Sequence, residues 1–168
     1  MPFFALEFKM TMSGLKTLKL EDPSNIQWEL KLKCSSCGDV PDRWRYVVAN
    51  ESEPIPGSRG EANYIEKCKG CGHLNTLSIL EDCFKPYVED KNESWQPVMI
   101  MDSRGFEPVG FGQASNWIAD TNDSSSTFNE ISFSSSEDWA DYDSQTNEPV
   151  SIENFESRFQ VVKNPHKK

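Results

Sequence analysis

Hydrophobic and polar residues alternate along much of this chain, and where they do the period is two. In Phe4-Ala5-Leu6-Glu7-Phe8-Lys9-Met10-Thr11-Met12, residues Phe4, Leu6, Phe8, Met10 and Met12 share one face, and Glu7, Lys9 and Thr11 share the other. Successive side chains of an extended backbone point to opposite sides, so this segment predicts a half-buried strand. Trp28, Leu30, Leu32 and Cys34 alternate in the same way with Glu29, Lys31 and Lys33 and predict a second. Residues 43–48 are aromatic and β-branched and predict a third. Strands are also expected at 62–67, at 76–80, in the apolar run 97–101, and near Phe128, Ile131 and Phe133. A closing strand over 152–162 has Phe155, Phe159 and Val161 on one face. No apolar stripe at 3.6 spacing runs beyond two turns, so helices are not expected. Turn chemistry fills residues 14–24 and 52–60, the latter with Pro54, Pro56, Gly57 and Gly60. Residues 85–96 read as a polar connector, 120–127 as a Ser/Asn/Asp loop, and 134–149 as an acidic, serine-rich stretch around Trp139.

The candidate chemistry lies at the ends of these strands. Cys34-Ser35-Ser36-Cys37-Gly38 and Cys68-Lys69-Gly70-Cys71-Gly72 are two turns that each bring a pair of thiols close together. The glycine after each second cysteine accepts the positive φ that such a turn needs. Two such knuckles facing each other offer four thiolates at the corners of a tetrahedron, which is the arrangement Zn²⁺ prefers. Cys34, Cys37, Cys68 and Cys71 are therefore the candidate ligands, and Zn²⁺ the candidate metal. Thirty residues separate the knuckles, so the insert is expected to be folded. The competing readings fit less well. Disulfides call for a secretory leader, and Pro2-Phe3-Phe4-Ala5-Leu6 is broken at once by Glu7 and Lys9. A redox dithiol calls for a single motif opening a helix after a strand. The fifth cysteine, Cys83, lies between Leu80 and Phe84 and reads as a small buried apolar residue; His73 reads as a surface histidine.

Composition narrows the classes. At 36% hydrophobic and 11% aromatic, 168 residues can build one core, and no apolar run approaches a membrane span. The net charge of −10 is uneven: residues 1–83 hold 12 acids and 10 bases, and residues 84–168 hold 15 acids and 7 bases. An acidic balance without a basic stripe argues against nucleic acid as a partner, although Arg43-Trp44-Arg45-Tyr46 offers rings for stacking. Lys31, Lys33, Lys67 and Lys69 lie close to the cysteines and would favour their thiolates, or else simply solvate exposed faces. Two histidines, His73 and His166, leave no nucleophile–base pairing in view, and there is no phosphate-binding glycine loop. Trp139 among Asp138, Asp141 and Asp143 is either an acidic docking patch or, as we favour, a core-filling ring with carboxylates capping turns.

A weak repeat overlays 28–41 on 95–108 with four identities: Trp28 on Trp95, Ser36 on Ser103, Gly38 on Gly105 and Pro41 on Pro108. Cys34 then meets Met101 and Cys37 meets Arg104, so the second copy lacks thiols. A duplication and two unrelated turns both account for it.

Four segments, in order, carry a resemblance. They are the first knuckle; Gly57-Ser58-Arg59-Gly60 leading to the second knuckle; Arg104-Gly105-Phe106-Glu107-Pro108; and Asp138-Trp139-Ala140-Asp141-Tyr142-Asp143. Over residues 4–163 the chain resembles the eukaryotic CXXC-motif-containing zinc-binding proteins, a family of unknown function. The resemblance implies an all-β fold, sandwich- or barrel-like, with two related halves. It also implies one zinc on Cys34, Cys37, Cys68 and Cys71 and no catalytic residues. The expected organisation is a single domain over 1–163, with a zinc-bearing half (4–84), a metal-free acidic half (85–163) and a flexible tail (164–168). The expected function is non-enzymatic: structural zinc in a monomeric cytoplasmic protein, the nucleus not being excluded, that docks a protein partner and does not engage membrane. The alternative is a metal- or thiol-handling protein that exchanges zinc or copper(I) with a metal-handling partner, or switches by redox, through the same cysteines.

Overall fold

The computed structural model describes residues 2–113, 116–122 and 125–167. Its strands, in chain order, are β1 (Phe3–Ser13), β2 (Leu15–Leu20), β3 (Trp28–Cys34), β4 (Arg45–Val47), β5 (Glu53–Pro54), β6 (Glu61–Ala62), β7 (Tyr64–Lys67), β8 (Leu74–Ile79), β9 (Tyr87–Val88), β10 (Gln96–Arg104), β11 (Phe106–Phe111), β12 (Trp117–Thr121), β13 (Thr127–Ile131), β14 (Trp139–Asp143) and β15 (Glu148–Val162). Helix among the described residues is confined to single 3₁₀ turns at Pro23–Asn25, Glu81–Cys83 and Glu89–Lys91. The fold is all-β. Six strands pair in the order β14-β15-β1-β10-β8-β7, four as β13-β12-β2-β9, three as β11-β3-β4, and β5 with β6. Each of the three larger sheets takes strands from both 4–84 and 85–163, so the two halves share one core. The repeat places Trp28–Cys34 on β3 and 96–101 on β10, with Trp95 just before that strand, and the aligned Gly38 and Gly105 both adopt positive φ.

β1 is the centre. It pairs with β10 on one side and β15 on the other, and its alternating residues Leu6, Phe8, Met10 and Met12 are buried. The Phe8 ring meets Phe111 of β11 at 5.4 Å, Trp117 of β12 at 5.5 Å and Phe155 of β15 at 4.8 Å, so one side chain joins the three sheets.

Several expectations need correction. Residues 14–24, expected as turn, contain β2. Leu15 and Leu18 are both fully buried although three apart, because the register against β12 slips between Thr17 and Leu15. Such a bulge returns a side chain to the face that alternation would deny it. The same device at the β1–β15 pairing, with Asn154 at φ 56°, buries both Ile152 and Phe155, while Val161 is exposed instead of sharing Phe155's face. The connector at 85–96 holds β9, and Tyr87 is fully buried there. Its hydroxyl accepts from the Met10 N–H at 3.2 Å and points its proton at the Met10 and Ser94 carbonyls. The loop at 52–60 contains β5, and the strand expected at 43–48 shortens to β4. The acidic stretch supplies β14, where Trp139 is half-buried against Phe128. Asp143 is buried and accepts from the Ser126 hydroxyl and the Gln145 N–H, and Asp138 accepts from the Asn154 N–H, so these carboxylates brace turns. Cys83 is half-buried rather than buried, at the end of the Glu81–Cys83 turn. Residues 164–167 turn back, with His166 against Asp82. Among the described residues, no helix is long and apolar enough to cross a membrane.

Candidate metal centre

The two knuckles have the same backbone. In each, the glycine N–H donates to the carbonyl of the first cysteine: Gly38 to Cys34 at 2.7 Å and Gly72 to Cys68 at 2.8 Å. In each, the first cysteine N–H donates five residues on: Cys34 to Asp39 at 2.9 Å and Cys68 to His73 at 2.8 Å. Gly38 and Gly72 sit at φ 79° and 78°, a conformation that side chains with a Cβ rarely adopt. β3 runs into the first knuckle, and the second connects β7 to β8.

Another part of the chain brings them together. β10 pairs with β8, β11 pairs with β3, and the tight turn between β10 and β11 is Gly105. The Ser35 N–H donates to the Gly105 carbonyl at 2.8 Å, which fixes the first knuckle to that turn. The four sulfurs then all lie within 4.8 Å of one another, with Cys34 Sγ 3.7 Å from Cys71 Sγ and Cys37 Sγ 3.6 Å from Cys68 Sγ. All four cysteines are free thiols in geometry. A tetrahedron with a metal–sulfur distance of about 2.3 Å has edges of about 3.8 Å, so the donor set fits Zn²⁺.

The support around the sulfurs was not visible in the sequence. Asn75, buried on β8, donates from Nδ2 to Cys34 Sγ at 3.4 Å, and its Oδ1 accepts from His73 Nδ1 at 2.6 Å. His73 is thus a surface residue with a fixed partner. A Cβ at Gly105, whose φ is +94°, would overlap the Asn75 amide oxygen. Asn75 shares β8 with the polar Thr76 and Ser78, so nothing in that strand singles it out. The hydrogen bond from Asn75, with the Cys37 N–H, lowers the Cys34 thiol to about 6. The Asp39 N–H favours the Cys37 thiolate, but the neighbouring sulfurs and burial outweigh it and push that thiol up to about 12. Cys71 is raised too: the His73 N–H lowers it, and burial with the Cys34 and Cys68 sulfurs overcomes that. Beside the Cys34 thiolate, Cys37 and Cys71 thus resist taking on further negative charge, a resistance that a bound cation removes.

Two of the four nearby lysines are engaged elsewhere. Lys31 pairs with Asp42 at 3.1 Å and lies over Trp44, and Lys33 pairs with Glu107 at 3.5 Å. Beside the centre is a hollow of about 230 Å³ walled by Cys34, Cys68, Arg45, Glu66 and Phe106. Glu66 is gripped by Arg45 at 2.7 and 2.9 Å, by Arg43 at 2.6 Å and by the Tyr64 hydroxyl at 2.7 Å. Burial raises the Glu66 carboxyl, but these donors outweigh it and hold it below the usual carboxylate range.

The model of the family described as "CXXC motif containing zinc binding protein, eukaryotic" matches residues 5–160. This chain belongs to that family. Among its relatives, a UPF0587 protein of Caenorhabditis elegans is 46% identical over 168 residues, spanning all of both chains. The CXXC motif containing zinc binding protein of Homo sapiens is 34% identical over 159 residues, 95% of this chain and 97% of the relative. The crystal structure of C1orf123 superposes with a TM-score of 0.88 at 32% identity, covering 95% of this chain and 99% of that one. A hypothetical protein from Plasmodium falciparum shares the fold, with a TM-score of 0.82 at 22% identity over 95% of this chain and all of that one. Membership in a zinc-binding family and a four-cysteine cluster together support zinc binding by this CXXC protein.

Proposed function

We propose that this CXXC protein is a non-enzymatic, monomeric zinc protein of the cytoplasm, in which Cys34, Cys37, Cys68 and Cys71 hold one structural Zn²⁺ and the adjoining surface docks a protein partner. The observation that carries this is the closed donor set: four sulfurs leave no position for a metal-bound water. When bound, the ion supplies folding free energy, on the order of 10 kcal/mol in apparent terms. The apolar surface lies near the same end. Val40, after the first knuckle, Trp44 and Tyr46 at β4, and Val109 of β11 are four of the six exposed large hydrophobic residues among those described. β4 is also the edge of its sheet, so its backbone is available to an incoming extended segment. Trp44→Ser with Tyr46→Ser should abolish capture of partners from a lysate while leaving zinc content and melting unchanged. Zinc-stripped protein should lose capture and melting together. Identical partner sets on intact, substituted and stripped protein would refute this reading.

One observation favours the alternative, metal or thiol handling. Cys37 and Cys71 are exposed, so half of the donor set faces a partner's thiols. Under that reading a mild chelator removes the ion and the fold persists; under the first, the chain melts with its metal.

A further inference from the structure

Three metal-binding side chains that the four-cysteine centre does not use converge elsewhere. Asp82 and Cys83 sit in the 3₁₀ turn after β8, and His166 comes from the C-terminal turn 84 residues away. His166 Nε2 lies 2.6 Å from Asp82 Oδ2, Cys83 Sγ lies 3.4 Å from Asp82 Oδ1, and the three donor atoms all fall within 4.8 Å of one another. Asn164 holds the tail in position by accepting from the His166 N–H with its side chain and from the Lys167 N–H with its carbonyl. The His166–Asp82 pair is 52% and 65% exposed, and so open an ion pair contributes little on its own. It does not explain why the chain end returns to this turn, whereas a shared ligand would.

We propose that Asp82, Cys83 and His166 form a second, open site for a zinc-like divalent cation. A thiolate, an imidazole and a carboxylate are a mixed borderline set. Mg²⁺ and Ca²⁺ require oxygen donors, and Cu(I) favours soft sulfur donors. Three protein ligands leave a fourth position, the count of an exchangeable site rather than a closed structural one. Asp82 and His166 also line a shallow groove of about 460 Å³ with Glu81, Glu61 and Ser52, which leaves room for a water or a partner's side chain as the fourth ligand. Ligands about 2.0–2.3 Å from a common ion stand about 3.3–3.8 Å apart, so binding replaces the His166–Asp82 hydrogen bond and opens it by roughly 0.7 Å. That adjustment is within reach of an exposed turn and tail.

The test is metal stoichiometry on the full-length protein. Wild type, Cys83→Ser and His166→Ala are dialysed to equilibrium against zinc buffered at low-micromolar free concentration, and bound zinc is measured by elemental analysis. The wild type should hold two equivalents and each variant one, with both variants keeping a cooperative melt. In parallel Co²⁺ samples the charge-transfer bands of the four-thiolate centre should be undiminished in both variants, which keeps failure of that centre separate from failure of this one. A single equivalent in the wild type, or a second equivalent surviving in either variant, overturns the proposal.

Discussion

Gly105 is the point where scaffold and metal centre are most tightly coupled, and Gly105→Ala probes that coupling. Its φ of +94° costs an L-residue about 1–2 kcal/mol, and the new Cβ meets the Asn75 amide oxygen. Asn75 is buried and must move, giving up its hydrogen bonds to Cys34 Sγ and from His73, at about 1–1.5 kcal/mol each. The sum is about 3–5 kcal/mol. Because Asn75 supports a metal-binding sulfur, zinc affinity should also fall by about 10–100-fold. Urea denaturation of the zinc-loaded protein and a competitive chelator titration read the two effects. The decisive measurement is a double-mutant cycle. With Asn75→Ala already present there is no amide to displace, so Gly105→Ala should cost only the backbone strain, and the cycle should show a coupling of about 2–3 kcal/mol. If Gly105→Ala costs the same in both backgrounds, the clash is not the mechanism.

Cys68→Ser should lose the zinc of the four-cysteine centre and most of its cooperative melt, whereas Cys83→Ser should keep the melt; equal damage to both would mean the structural ligands are misassigned. Acid should erode the Glu66 network. A carboxyl held below its unfolded value adds stability above that value, about 4.3, and loses it as pH falls through the depressed one. Glu66→Gln should therefore be less stable than wild type by about 1–3 kcal/mol at neutral pH, with the gap closing below pH ~4 in urea titrations; a gap independent of pH would count against it.

What could be read in advance was what is local. β1 and β3 were legible because an extended chain with one buried face alternates, as β3 does throughout and β1 does from Leu6 to Met12. The four cysteines were legible because the two members of each pair are neighbours in sequence. β2 was not, because the slip at its β12 pairing puts Leu15 and Leu18 three apart on one face and hides the period of two. β14 was not, because its acidic residues are those of a turn-rich segment and only pairing with β15 makes them a strand. Asn75 escaped for a different reason. Its role exists only once β10 has paired with β8 and β11 with β3, and no neighbour in sequence signals that. Lys31 and Lys33 show the converse: near the sulfurs in sequence, they are tied in space to Asp42 and Glu107.

The Gly105 turn has a consequence for biogenesis. A chain made from its N-terminus exposes all four thiols outside the ribosome before the Gly105 turn and the strands that align them have emerged. Until then nothing rigid orients one pair toward the other, so the nascent protein is an open chelator, exposed to oxidation and to the wrong ion. Correct loading is thus a late event, governed by completion of the distal strands and not by emergence of the cysteines themselves.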